Sequence, residues 1–373
     1  MIEVIGHHLI YENPKPHVHS RHGFFPGLER LPSGDLLCLF VLGEAFEAPN
    51  NTTVISRSKD NGLTWQLQGN LHDKSVQGCE TTDALKPTFL ENGTIIAIGY
   101  RFHRHNPEQG IGIEETGGIC SGEDIISSSR DGGYSWSRPE IIERTRPELL
   151  EISGPCIELR ESKDLVAVSA PFKLPDGSNP SGQIGVLLRS PDHGASWNDK
   201  KIFFRAPSQN VTPLESRICE MQDGRLVAIG WAYDYSTDRS LPNQVVVSHD
   251  AGETWSVPIN TGHSGQAANL LWLGGDTLLT IHAHRGEERG IYVRLIDFSH
   301  DRWRVIEEQV IWTCDGIAPG QQKMVQTFSS LKFGQPSLLR ISEEEFLATH
   351  WTIEDGQGKI RSHRLRVRAN NIS

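Results

Sequence analysis

The 373-residue chain contains one octapeptide four times. Its pattern is S-x-D-x-G-x-[ST]-W, and the copies run from Ser58 to Trp65, Ser129 to Trp136, Ser190 to Trp197 and Ser248 to Trp255. Five fixed positions within eight residues, returning at spacings of roughly 60 to 70 residues, define an internal repeat, and repeats of this kind stack as modules around a shared core. The chemistry of each copy is that of a turn between two strands. Its Asp accepts backbone N–H groups of the same turn, its Gly takes a positive φ, and its Trp buries a ring between units. These residues are scaffold and carry no reaction.

A second pattern gives the number of units. Pairs of apolar, strand-like runs flank tight turns at Ser33-Gly34-Asp35, Glu91-Asn92-Gly93, Glu161 to Asp164, Gln222-Asp223-Gly224, Gly274-Gly275-Asp276 and Ser342 to Glu345, which makes six hairpins. A third strand follows each, and in the first four units it runs into the octapeptide. In the fifth, Ile291 to Leu295 leads into Ser299-His300-Asp301-Arg302-Trp303, a degraded copy that keeps its Trp. The sixth ends with Lys359 to Val367 and has no fourth strand after it. The run Val4 to Tyr11 is otherwise unemployed, so it is expected to pair with the last unit and remove two sheet edges. The expected fold is all-β: a six-bladed β-propeller, residues 1–373 forming one domain, its ring closed by the N-terminal strand. The Gly- and Glu-rich insertion Asn106 to Glu123 is expected over one mouth of the ring.

The formal charge of −11 argues against nucleic acid and against an anionic membrane surface as partners. No stretch has the length of a membrane span, and the first residues lack the basic and apolar regions of a secretory leader, so a cytoplasmic protein is expected. The six cysteines, Cys38, Cys79, Cys120, Cys156, Cys219 and Cys314, have neither zinc-like nor redox spacing. Cys38, Cys156 and Cys219 sit in apolar runs and read as buried thiols. The i, i+2 pairs His103/His105 and His282/His284 are too common a pattern to define a metal site, and neither metal nor cofactor is expected.

The octapeptide resembles the Asp box, or bacterial neuraminidase repeat, of the sialidase superfamily, whose members are β-propellers. This resemblance spans most of the chain and implies the fold, although a box marks a fold and not a reaction. The segment Thr212 to Gly224 also resembles the one that carries the catalytic glutamate of sialidases, which implies that Glu215 acts as a base. Elsewhere the chain departs from that family. Phe24-Phe25-Pro26 stands where the family has Arg-Ile-Pro, and Phe333-Gly334-Gln335-Pro336-Ser337 stands where it has its nucleophilic tyrosine. The family's acid aspartate is missing from Gly43 to Asn50, leaving Glu44 or Glu47 to substitute. Arg289 is a weak match to a later arginine, with Arg21 and Arg101 as candidates for the space of the missing one.

Inner strands of a propeller begin at the face where the loops after the second strands arrive. Residues expected at that face before the hairpins include Arg21, His22, Lys86, Glu151, Ser153, Glu215, Arg217, Gln266 and Gln335. Those after them include Glu44, Glu47, Tyr100, Arg101, His103, Trp231, Tyr233, His282, His284, Arg285, His350 and Trp351. For any one of them the plain reading is a partner that fixes a loop. Together they suit stacking on sugar rings and holding hydroxyl or charged groups, so the expected partner is a carbohydrate. The leading expectation is an exo-acting glycoside hydrolase on a terminal acidic or polar sugar, with Glu215 as base, Glu44 or Glu47 as acid, and their separation deciding inversion or retention. Substrate binding is assigned to Arg21, Glu47, Lys86, Arg101, His103, Arg217, Trp231, His284, Arg285, Arg289, Gln335 and His350. A polysaccharide lyase using His22, His103, His282 or His350 for proton transfer, and a non-catalytic glycan- or protein-binding propeller, stand as alternatives.

Overall fold

The computed structural model describes residues 1–74, 80–314 and 328–368, and Cys79 lies outside them. Six antiparallel sheets form the blades of a β-propeller. Their inner strands are His22–Arg30, Thr81–Phe89, Ile157–Glu158, Val211–Glu220, Gln266–Gly274 and Phe333–Arg340. The second strands, such as Leu36–Gly43 and Ile95–His103, are largely buried between neighbouring blades, which is why Leu36 to Leu42 and Ile95 to Ile98 read as unbroken apolar runs. Outer strands face water on one side. Arg304–Thr313 accordingly alternates between exposed and half-buried positions along most of its length.

The ring closes as the strand bookkeeping requires. Ile2–Tyr11 pairs antiparallel with Gln357–Val367, from Ile2 opposite Val367 to Tyr11 opposite Ile360, and becomes the outermost strand of the sixth blade. Ile2, Ile10 and Tyr11 are buried by this pairing and by the neighbouring blades.

All four octapeptides fold alike. The Ser hydroxyl accepts the Gly N–H at 2.8 to 2.9 Å, as in Gly62 to Ser58 and Gly133 to Ser129. The Asp carboxylate accepts the N–H and hydroxyl of the following Ser or Thr. The Trp indole donates to the Gly carbonyl at 3.1 to 3.2 Å. These bonds hold the Asp60, Asp131 and Asp250 carboxyls down at about 2. Each turn also leans on the preceding blade. A Cβ added at Gly133, Gly194 or Gly252 would come within 2.8 to 2.9 Å of Leu37, Ile126 or Leu187. Arg57 and Arg189 of preceding blades donate to the carbonyls of Gly132 and Ala251. The degraded fifth copy keeps only part of this. Ser299–Asp301 is a short 3-10 turn, and the indole N–H of Trp303 is buried without a partner.

Four inner strands carry a bulge that holds a non-glycine residue at positive φ: Phe25 at 53°, Glu215 at 47°, Ala267 at 56° and Gln335 at 39°. Register slips at the same places, between Phe24 and Gly27, Leu214 and Arg217, Gln266 and Ala268, and Gly334 and Ser337. Such backbone is uncommon and re-aims a side chain out of the strand's alternation. Three of these four residues line the cavity described next.

Candidate active site

A cavity of about 490 Å³ is lined by residues from all six blades, among them Phe25, Tyr100, Glu151, Glu215, Arg285 and Gln335. Part of its rim comes from the long insertion. Gly112–Ile113 and Gly118–Ile119 pair as a small hairpin whose tip, Glu114 to Gly117, faces the cavity. Thr116 donates its hydroxyl to the Pro175 carbonyl at 2.7 Å, which ties this tip to the third blade and builds a wall on that side.

Two glutamates meet at the cavity. The backbone N–H of Glu215, presented by the bulge, donates to the Glu151 carboxylate at 3.0 Å, and Gln335 donates its amide to the Glu215 carboxylate at 2.8 Å. Arg217 lies beneath and donates to Ser153 at 3.0 Å and to the carbonyls of Glu215 and Ser216. Burial and then the Glu215 charge push the Glu151 carboxyl up to about 8, against the opposing Glu215 N–H and Arg217. Both causes favour the protonated form of Glu151. Lys86, buried under the first-blade bulge, donates to the Phe25 carbonyl at 2.7 Å, and burial followed by Arg217 brings its ammonium down to about 7. Tyr100 moves the other way: burial and then Glu151 and Glu215 raise its phenol above the ordinary value.

One side of the cavity is aromatic. Phe25, Phe46 and Trp351 pack with ring centroids 5.3 to 6.0 Å apart, and Phe24 supports them from behind. Tyr100, Phe172, Trp231 and Tyr235 add further ring surface. Flat apolar faces beside convergent polar groups are what a sugar ring stacks on.

The structure brings together some of the residues singled out from the sequence. Glu215, Glu47, Trp231, Arg285 and Gln335 line the cavity, while Lys86 and Arg217 support it from below. Glu47 accepts the Ile111 N–H at 2.8 Å, and burial raises its carboxyl. Glu44 is exposed and is not a lining residue, because the chain turns outward after Gly43; Arg21 is likewise exposed. Arg101 and His103 are drawn away by Glu123, which pairs with both. His22 accepts the Gly358 N–H at 2.8 Å in the closing seam.

The other histidines singled out from the sequence lie off the cavity wall. His282 is buried against Arg294 at 2.8 Å, and His284 contacts the Ser264 carbonyl at 2.9 Å. His350 stacks on His363 with centroids 5.2 Å apart, and Arg289 is buried with its carbonyl accepting the Cys314 N–H. No histidine is among the described lining residues. Glu151 was visible in the sequence as a polar residue ahead of the third hairpin, but nothing there gave it a role. It lies in an irregular segment before the short strand Ile157–Glu158, where strand alternation gives no guide to direction. Tyr235 and Asp238, also on the cavity wall, carried no signal beyond their loop.

No protein-family model and no curated protein matches the chain. Among solved structures, a protein of unknown function from Dyadobacter fermentans superposes with a TM-score of 0.76 at 19% identity, over 98% of this chain and 99% of that one. The α-L-arabinanase of Penicillium chrysogenum, complexed with arabinobiose, superposes with a TM-score of 0.65 at 15% identity, over 98% of both chains. A Hadza microbial sialidase gives a TM-score of 0.64 at 18% identity, over 93% of this chain and 66% of that one. The architecture this chain shares with them is the six-bladed β-propeller.

Proposed function

We propose that the protein is an exo-acting glycoside hydrolase whose working pair is Glu151 and Glu215. The observation that carries this reading is the meeting of the two glutamates at the cavity, where the Glu215 backbone N–H donates to the Glu151 carboxyl group at 3.0 Å and burial favours the acid form of Glu151. Glu151, kept as an acid by burial and by its neighbour's charge, protonates the leaving glycosidic oxygen. Glu215, oriented by Gln335, serves as the carboxylate that attacks the anomeric carbon or activates water. This moves the acid role from Glu44 or Glu47 to Glu151, and leaves Glu47 as a wall residue that holds the insertion.

A tyrosine nucleophile is disfavoured on two grounds. Gln335 occupies the place next to Glu215 where the sialidase resemblance implies a tyrosine, and an amide cannot attack. Tyr100, the nearby phenol, has its ionisation made harder by burial first and by the neighbouring glutamates after it. Histidine-driven elimination loses support because the described cavity wall has no histidine. The walled mouth favours a chain end over a chain interior, which supports the exo mode. Neighbours named arabinanase and sialidase on the same fold add weight to a carbohydrate substrate.

The test is turnover of a panel of glycosides by the native protein and by Glu151→Gln and Glu215→Gln. Each variant is expected to lose about 10²- to 10⁴-fold in kcat/KM while still binding product sugar. Retention of activity by either variant would remove that residue from the reaction.

A further inference from the structure

The charge of the cavity narrows the substrate. Resting on the carboxylate-pair reading above, we infer that the site takes a terminal sugar without a negative charge and rejects acidic sugars such as uronic or sialic acids. Seven Asp and Glu residues line the cavity against three Arg and Lys residues. Asp83 is compensated by His72 at 3.1 Å and Lys74 at 3.5 Å, and burial followed by the Glu215 charge favours the uncharged form of Glu151. The remainder are not. Among the described residues Glu47, Glu114, Glu115 and Asp238 form no ion pair, and the rim pair Glu114 and Glu115 is exposed on the insertion tip at the mouth. Asp238 is engaged by the Tyr233 hydroxyl, a neutral donor.

The cations are already occupied by the protein. Arg285 donates to the Phe333 carbonyl at 2.7 and 3.0 Å and to Gln266 at 3.1 Å. Arg104 spends its guanidinium on the carbonyls of Glu47 and Gln109. Lys173 sits 4.6 Å from the centre of the Tyr235 ring. A bidentate clamp on a sugar carboxylate works best with a guanidinium that the protein leaves free, whereas both terminal nitrogens of each lining arginine already donate to protein acceptors. The place where the resemblance implies an arginine in the first blade is instead filled by Phe24, packed against Phe46 and Trp351. Like charge facing the entrance disfavours an anionic ligand in binding as well as in its approach.

The experiment uses matched glycosides of each linkage that differ only by a hydroxymethyl or a carboxylate on the ring, with sialosides and pentosides alongside. Turnover is read on the native protein, and binding of the corresponding free oligosaccharides is read by calorimetry on Glu151→Gln, which preserves the neutral side chain. The uncharged member of a pair is expected to exceed its charged twin by at least about tenfold, with the gap shrinking as salt is raised. In the Glu114→Gln/Glu115→Gln double variant the charged-to-neutral ratio should rise. A preference for the charged twin, or a ratio that ignores both salt and the double variant, would overturn the inference. Cleavage of an acidic glycoside that is lost in Glu151→Gln would sink the charge argument and leave the carboxylate pair standing. Preference for neutral glycosides with full activity in Glu151→Gln would do the reverse. Binding of neither series would overturn both.

Discussion

Single side chains in this molecule have roles set by what buries them. Glu151 and His350 are both enclosed titratable groups, yet one sits at the cavity and the other inside the last blade, and their protons behave in opposite ways. Burial brings His350 down to about 4 from its ordinary 6.5, and His363 also falls well below that value through burial and its neighbour's charge. Both bind protons more weakly folded than unfolded. The stability they support is complete above about pH 6.5 and is lost as the pH falls toward 4, at up to about 1.4 kcal/mol per pH unit for each group. Denaturant titrations of the native protein and His350→Gln across that range should show the variant's shallower loss; equal slopes would contradict the assignment. Glu151 has the other sign, its contribution being full below about 4.5 and lost as the pH rises through about 8. At this scale the sequence was partly legible. Glu215, Trp231, Arg285 and Gln335 stood out by residue type beside a hairpin, whereas Glu44, His22 and His282 stood out equally and fall elsewhere. Residue type does not reveal direction, and bulges at Glu215 and Gln335 break the alternation from which direction is inferred.

The element that carries the architecture is the octapeptide turn. Its hydrogen bonds are internal, but its glycine also marks the contact with the preceding blade, so one substitution probes both. Gly133 has φ 85°, and a Cβ there would lie 2.8 Å from Leu37. Gly34, at φ 89° in a hairpin turn, has nothing within 4 Å of such a Cβ. Gly34→Ala should therefore cost only the backbone strain, about 1 kcal/mol, and Gly133→Ala more than that, about 2 kcal/mol, in equilibrium unfolding. Equal costs would mean that the turn does not lean on its neighbour. These turns were legible because they are local: every bond in them is made within eight residues, and the pattern repeats. Glu151 was not, because its position depends on the irregular segment of the third blade and on a partner 64 residues away.

For the whole molecule, closure of the ring decides whether six marginal sheets become one body. The N-terminal strand covers the open edge of the last blade and buries Ile2, Ile10 and Tyr11, each worth about 1.5–3 kcal/mol. Removing residues 2–11 is expected to cost roughly 5 kcal/mol or more and to expose a long sheet edge. A truncated protein that stays monomeric with an unchanged thermal midpoint would show that the seam is dispensable. Closure was legible from counting strands alone, since a sixth blade with three strands needs a fourth. The cavity is a product of the same closure. It draws on all six blades, and no local stretch of sequence contains it.

The most direct test of the central claim is the pH dependence of kcat/KM on whichever glycoside the protein cleaves, measured for the native protein and for Glu151→Gln. With Glu151 as the acid, native activity falls as the pH rises through about 8, and the variant loses both most of the activity and that limb of the profile. If the variant kept its rate, or lost rate while keeping the same fall near pH 8, another group would be delivering the proton and the carboxylate pair would not be the catalytic centre.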